Sequence, residues 1–262
     1  MEMLVVIAII TVLAAIAYPI IVRMRANANK MTALNRMKQL AAAVHTYTAE
    51  NSGVIPAEDA PGKELGWASF AAANTEKAWY NAIPHQLREK SVADFYQERR
   101  TADFYTHQNI LYLPGAQYPM KQIKNQPLFA IAMNTKLHHR ARGPNNVKTF
   151  TGLKADMNIS TVQLPSRTVL FLERGLPGEL RAHPAISKTD YSGSCKANAQ
   201  AFVARYTNKG ILVFFDGHAE EVSGKDLLTT SGTIIWDATL SSTNPSAIFW
   251  TPDPTEDPNP GI

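Results

Sequence analysis

Apolar and polar positions follow different rhythms along this chain, and each rhythm predicts a different element. Residues 3–22, MLVVIAIITVLAAIAYPIIV, hold twenty positions without a charge, interrupted only by Thr11, Tyr18 and Pro19. In a helix rising ~1.5 Å per residue such a run spans about 30 Å, the hydrocarbon thickness of a bilayer. Further on, Leu34, Met37, Leu40 or Ala41, Val44 and Tyr47 recur at three- and four-residue steps, with Arg36, Lys38 and Gln39 mainly off the stripe. Asn51-Ser52-Gly53 is a helix stop, and Pro56 follows it. The pattern predicts one helix over about residues 2–50, ~70 Å long. Its first part (1–22) is apolar all round, and its second part (23–51) is amphipathic. Pro19 lacks a backbone donor and is expected to kink or loosen it.

After the helix the pattern predicts a head over residues 52–250. Residues 54–125 read as an irregular insertion of short aromatic-bearing segments. Ala93-Asp94-Phe95-Tyr96 recurs as Ala102-Asp103-Phe104-Tyr105, but a spacing of nine puts the copies on roughly opposite faces of a helix. That is read as chance and not as a repeat. Residues 128–133 and 168–172 are short apolar runs flanked by Pro, Asn or Ser, and so read as strands. In AFVARYTNKGILVFFDGHAEEV, Asn208-Lys209-Gly210 and Asp216-Gly217 have turn chemistry and separate three apolar runs. They predict an antiparallel meander whose middle run, 211–215, is covered on both faces. TPDPTEDPNPGI (251–262) reads as an extended Pro-rich acidic tail on the surface. The fold class is α+β, a long N-terminal helix packed on an antiparallel sheet.

Composition narrows this little. At 262 residues the chain suits one domain plus an appendage, 45% of it hydrophobic and 18% charged. A formal charge of +4, from 26 basic and 22 acidic residues, is too small and scattered to point to nucleic acid. His138-His139-Arg140 with Arg142 reads as a solvated loop. The single cysteine, Cys195, precludes an intrachain disulfide and reads as a buried or idle thiol.

Glu2 changes the picture more. A cleaved secretory signal begins with basic residues and has an apolar core of about 7–15 residues, which this run does not match. A plain anchor fits the length, with Arg23 and Arg25 at the water interface, but gives Glu2 no purpose. A carboxylate at the end of such a helix is costly unless paired, so it carries a functional reading with a partner. The nearest partner is an amino terminus at or just before Met1, on this subunit or a neighbour. That pairing would neutralise both charges and set the axial register between helices.

EMLVVIAIITVLAAIAYP, with Pro19 seventeen residues after Glu2, resembles the N-terminal segment of type IV pilins and pseudopilins. The resemblance implies cleavage after a Gly by a prepilin peptidase and N-methylation of the new first residue. It also implies assembly into a filament core through Leu4, Val5, Ile7, Ile9, Ile10, Leu13 and Ile16. Ahead of the Glu the family has a short stretch that Met1 alone represents here. NRMKQLAAAVHTYTAENSGVIPA (35–57) is similar to a prepilin-like subgroup named for a later motif, His, any nine residues, Asp-Gly. AWYNAIPHQL, FAIAMNTKL and PSRTVLFLER are further similar pieces, so the likeness runs loosely from Glu2 to about Val222. Asp216-Gly217 matches the end of that motif, but Tyr206 stands where the His would be. A tyrosine suits a cross-strand packing position better than a chemical one.

No enzymatic constellation emerges. The seven histidines show no HExxH or ligand spacing, and neither a phosphate loop nor a Gly-x-Ser-x-Gly elbow is present. Asp216, Glu220, Glu221 and Asp226 are weak candidates for calcium, as in the C-terminal loop of some pseudopilins; otherwise no cofactor is expected. Asn158-Ile159-Ser160 is an isolated glycosylation sequon. The resemblance implies a structural filament subunit whose partners are copies of itself, the inner-membrane assembly machinery and the peptidase. It would lie in a bacterial inner membrane before assembly, and in a periplasmic or surface filament after. Two alternatives stand beside it. One is a minor pseudopilin of a type II secretion-like system, binding a substrate or surface ligand at a tip. The other is a membrane-anchored enzyme, which the missing constellation disfavours.

Overall fold

In a computed structural model, residues 2–58, 66–137, 157–186, 191–236 and 247–259 are described; of Glu2, Leu4, Val5 and Ala8 only the backbone is. The predicted helix is present as α1 (Glu2–Glu50), continuous through Pro19. Its two parts live in different surroundings. Every described side chain from Met3 to Ala28 is exposed, whereas Ala33, Met37, Leu40, Ala41 and Val44 are shut off from solvent. That buried stripe is the three-and-four pattern of the sequence, which turns one helix face onto the head. The stop falls where expected, and the Gly53 N–H closes the end of the helix by donating to the Thr48 carbonyl at 2.7 Å.

The stretch read as an irregular insertion is part of the core. It forms α2 (Trp67–Phe70), α3 (Trp79–Gln86) and α4 (Val92–Gln97). Here α3 packs on α1, with Trp79, Tyr80 and Ile83 inaccessible. Asn81 ties the segment together. Its amide donates to the Phe70 carbonyl and the Thr75 hydroxyl at 2.8 Å, while its Oδ1 accepts the Ala93 N–H at 3.0 Å. The duplicated Ala-Asp-Phe-Tyr does not lie on one helix. Arg99 takes a left-handed conformation after α4, and the second copy forms a separate 3-10 turn at Asp103–Tyr105. Phe95 and Phe104 therefore meet edge to face, 5.8 Å apart, instead of pointing to opposite sides.

Five strands form one sheet in the order β3-β1-β2-β4-β5: β1 (Ile131–Asn134), β2 (Val169–Glu173), β3 (Lys196–Ala197), β4 (Lys209–Phe214) and β5 (Ala219–Ser223). Three pairings are antiparallel, but the short edge strand β3 runs parallel to β1, so the sheet is mixed and not wholly antiparallel. The expected three-run meander is a two-stranded hairpin, β4–β5. The first run, 201–206, does not join the sheet as a strand. It leaves a 3-10 turn at Ala199–Ala201 and crosses β4, placing the Val203 carbonyl 2.0 Å from where a Cβ on Gly210 would lie. Gly210 thus serves this close crossing and not a turn. The turn is one step earlier, at Thr207 and Asn208, both with positive φ as a type I′ hairpin requires. As expected, β4 is covered on both faces: Ile211 and Val213 pack on the α1 side, Leu212 and Phe214 on the other.

The Pro-rich end is docked and turned, not extended. Trp250, Thr251, Pro252, Pro254 and Pro258 are buried. The Thr251 hydroxyl donates to the carbonyls of Asp253 and Glu256, and Asn259 exchanges two bonds with the Ile234 backbone at 2.8 and 2.9 Å. Side-chain-to-backbone bonds supply here what apolar composition could not.

Candidate functional site

Among the described residues, the longest continuous run of exposed apolar side chains is the free half of α1. Ile9, Ile10, Leu13 and Ile16 are each more than half exposed, as are Val6, Ile7 and Ile20. One helix is therefore long and apolar enough to cross a membrane, with none of its most apolar window covered by the head. Met1 lies outside the described residues, and no side-chain geometry is described for Glu2, Leu4 or Val5. His138, His139, Arg140 and Arg142 also lie outside them.

The head takes hold of α1 just after the apolar run. Lys30 pairs with Glu221 of β5 at 2.9 Å, and Asn29 approaches Gly115. Two turns on, the Arg36 guanidinium donates to the carbonyls of His107, Asn109 and Tyr112. Arg36 lies off the apolar stripe, as the pattern places it, and clamps the helix to a loop.

Tyr206 and Asp216 are not one site. They lie beyond opposite ends of β4, a strand of six residues that spans ~20 Å. Tyr206 is buried on the α1 side of the sheet, with its hydroxyl directed at Gly115 and close to the Glu173 carboxyl. Its partner across the turn is Lys209, so no cross-strand aromatic pair forms. Beside it lies a cluster that sequence reasoning missed. Arg205 grips Glu179 with two bonds, at 2.9 and 2.6 Å, and reaches Glu173 at 3.2 Å. It also donates to the Arg174 carbonyl at 2.6 Å. Glu173 accepts the Ile211 N–H, and Glu179 accepts those of Gln117 and Leu176. Burial pushes the Glu173 carboxyl up from its usual range despite Arg205, and burial together with Glu173 pushes the Tyr206 phenol up. The carboxylates are saturated with donors and shielded from solvent, so the cluster pins β2, β4 and three loops and leaves no group free to react. The one sequence signal was that PSRTVLFLER ends a buried strand on Glu173.

Asp216-Gly217 forms the predicted turn. Gly217 has positive φ, and the Asp216 carboxylate accepts the His218 N–H at 3.0 Å. The calcium candidates are spent elsewhere. Asp216 and Glu220 both face the His218 ring, at 2.5 and 3.5 Å, Glu221 pairs with Lys30, and Asp226 ends a separate turn at Gly224–Asp226. Among the described residues no three His, Cys, Asp or Glu side chains converge. His85, Asp94 and Ser91 do meet, but both His85 and the buried Ser91 bond to the same Asp94 oxygen, at 2.7 and 2.8 Å. A nucleophilic triad needs the imidazole in the middle. This is a helix cap: Ser91 and Asp94 form the capping box of α4. Cys195 is buried with its sulfur 3.6 Å from the Glu58 carbonyl, and Asn158 holds Ser52, bonding its carbonyl at 3.1 Å.

No family model matches the chain, and neither a curated protein nor a solved structure does.

Proposed function

We propose that the chain is a structural subunit of a type IV pilus-like or pseudopilus filament, assembling through its N-terminal helix. The observation that carries this is the division of α1: one unbroken 49-residue helix whose first half presents apolar side chains all round and whose second half is fastened to a folded head. A core helix would be covered by its own head, and a removable signal would not continue without a break into the head's packing.

On this reading the subunit waits in a bacterial inner membrane and is then drawn into a bundle of like helices, giving a periplasmic or surface filament. Burial of the exposed side chains stabilises that bundle by about 25 cal/mol per Å² removed from water. Contacts repeated head to tail do not close, and so they propagate as a fibre. Glu2 is the register device, pairing with the amino terminus of a neighbour. The assembly machinery and a prepilin peptidase are the other partners that the resemblance implies, and the chain acts by assembly and not by catalysis. Glu2→Ala, followed by electron microscopy of sheared surface material, tests this; filaments of normal number and form would refute the register role.

A further inference from the structure

We infer that the base of the head carries a second membrane contact, a docking surface for anionic lipid headgroups formed by two pinned loops beside the exit of α1. This rests on the reading of α1 as a membrane span. The first loop follows Gly115, which touches α1 at Asn29. It turns tightly at 119–125, where the Trp67 indole fixes the Ile123 carbonyl at 3.1 Å. Yet Met120 is 71% exposed on it, flanked by the exposed Lys121 and Lys124. The second loop is joined to the first by the Gln117 N–H bond to Glu179 at 3.0 Å. Its Leu176-Pro177-Gly178-Glu179 turn is closed by a 3.0 Å bond and anchored through Glu179 to buried Arg205. The next residue, Leu180, is 90% exposed, and exposed Arg181 follows.

Two large apolar side chains held out from rigid loops, each beside basic residues, match the boundary between headgroups and acyl chains. The one carboxylate in this pair of loops, Glu179, is neutralised internally by Arg205. Position agrees with chemistry. Asn29 lies six residues past Arg23, or ~9 Å along the helix, and a bilayer's headgroup layer is ~5–8 Å deep. Arg23 and Arg25, exposed on α1, extend the same positive surface to the helix itself.

The test uses the full chain in lipid nanodiscs of pure phosphatidylcholine and of phosphatidylcholine with phosphatidylglycerol, read by amide hydrogen exchange. Segments 117–124 and 177–182 are expected to exchange at least about fivefold more slowly in the anionic discs, since each basic residue near such a surface contributes about that factor. The variant Lys121→Glu/Lys124→Glu/Arg181→Glu should lose the difference while the Trp79 region keeps its protection. Met120→Ser/Leu180→Ser should lower protection of both loops in the anionic discs. Equal exchange in the two lipids, or a difference that survives charge reversal, overturns the docking surface and leaves the span intact. A chain that does not stay with the discs overturns both.

Discussion

Removing Arg205 should be among the most damaging single changes in the head. Its guanidinium is bonded to two carboxylates whose side chains are 0% and 5% exposed. Arg205→Met leaves Glu179 with the N–H groups of Gln117 and Leu176, and leaves Glu173 with the Ile211 N–H and the Tyr206 phenol but no cation among the contacts described. Breaking a buried pair on one side costs about 3–5 kcal/mol, a large part of the ~5–15 kcal/mol that holds a typical domain together. The cost depends on pH with a definite sign. The Glu173 carboxyl is already raised in the folded state, and loss of Arg205 raises it further. A group of this kind binds its proton more tightly folded than unfolded, so its contribution is full below the unfolded value of ~4.3 and is lost as pH rises through the folded one. The deficit of the variant should therefore be largest at neutral pH and shrink towards pH 4. Urea unfolding of the full chain in detergent, followed by fluorescence of the buried Trp67, Trp79 and Trp250, measures it at both pH values. A deficit below ~1 kcal/mol at neutral pH, or one equal at both, would refute the argument. Replacing Glu173, Glu179 and Arg205 together by Met should restore much of the loss, because no buried charge is then left alone.

Three other perturbations have distinct readouts. Leu13→Arg puts a charge in the middle of the apolar run and should cost about 2.5–3.5 kcal/mol of insertion, seen as a shift of the chain out of the membrane fraction; unchanged partition would sink the span. Gly210→Ala drives a methyl against the Val203 carbonyl and should destabilise the head by about 1–3 kcal/mol or more in thermal melts, while an Ala variant as stable as the parent would contradict the crossing. Burial works to raise Asp94, but the bonds from His85 and Ser91 prevail and hold it below its usual value. Its stabilisation is thus present above the unfolded pKa and lost as pH falls through the folded one, so Asp94→Asn should cost ~1 kcal/mol at pH 7 and less at pH 3; a difference that does not vary with pH would argue against the cap.

What the sequence made legible was set by how far each signal reaches. The stripe from Leu34 to Tyr47, the stop at Asn51-Ser52-Gly53 and the Asp216-Gly217 turn are local, governed by period and backbone conformation, and they stand in the structure as read. The first run of the meander failed because alternation does not reveal that Val203 passes over Gly210. The tail failed because Pro-rich composition suggests extension, whereas Asp253, Thr255 and Asn259 can build turns from their own side chains. Charged positions were the least legible. Arg36, Glu173 and Arg205 look like surface residues one at a time, and are drawn in only because partners 26 to 76 residues away arrive at the same place. For Glu2 the sequence supplies the chemistry, and the pairing proposed for it would belong to a neighbouring chain.

The separation between the two halves of α1 has its own consequence. The charge-free run ends at Val22, and the first side chain shut off by the head is Ala33. The intervening residues 23–32 amount to ~15 Å of helix, but the head already reaches α1 at Asn29, ~9 Å past Arg23, and so would stand at the edge of a ~5–8 Å headgroup layer in the membrane it would be anchored in. Residues at the helix exit would then be selected for contact with lipid as well as for solubility. That pressure would account for basic Arg23 and Arg25 on the helix, and for Met120 and Leu180 standing out from loops that the core otherwise holds in place. On withdrawal into a filament the same side chains would exchange lipid for the neighbouring subunit. The cost of leaving the membrane and the gain on joining the fibre would thus be read by one surface, at the place where Arg205 and Glu179 make the head stiff.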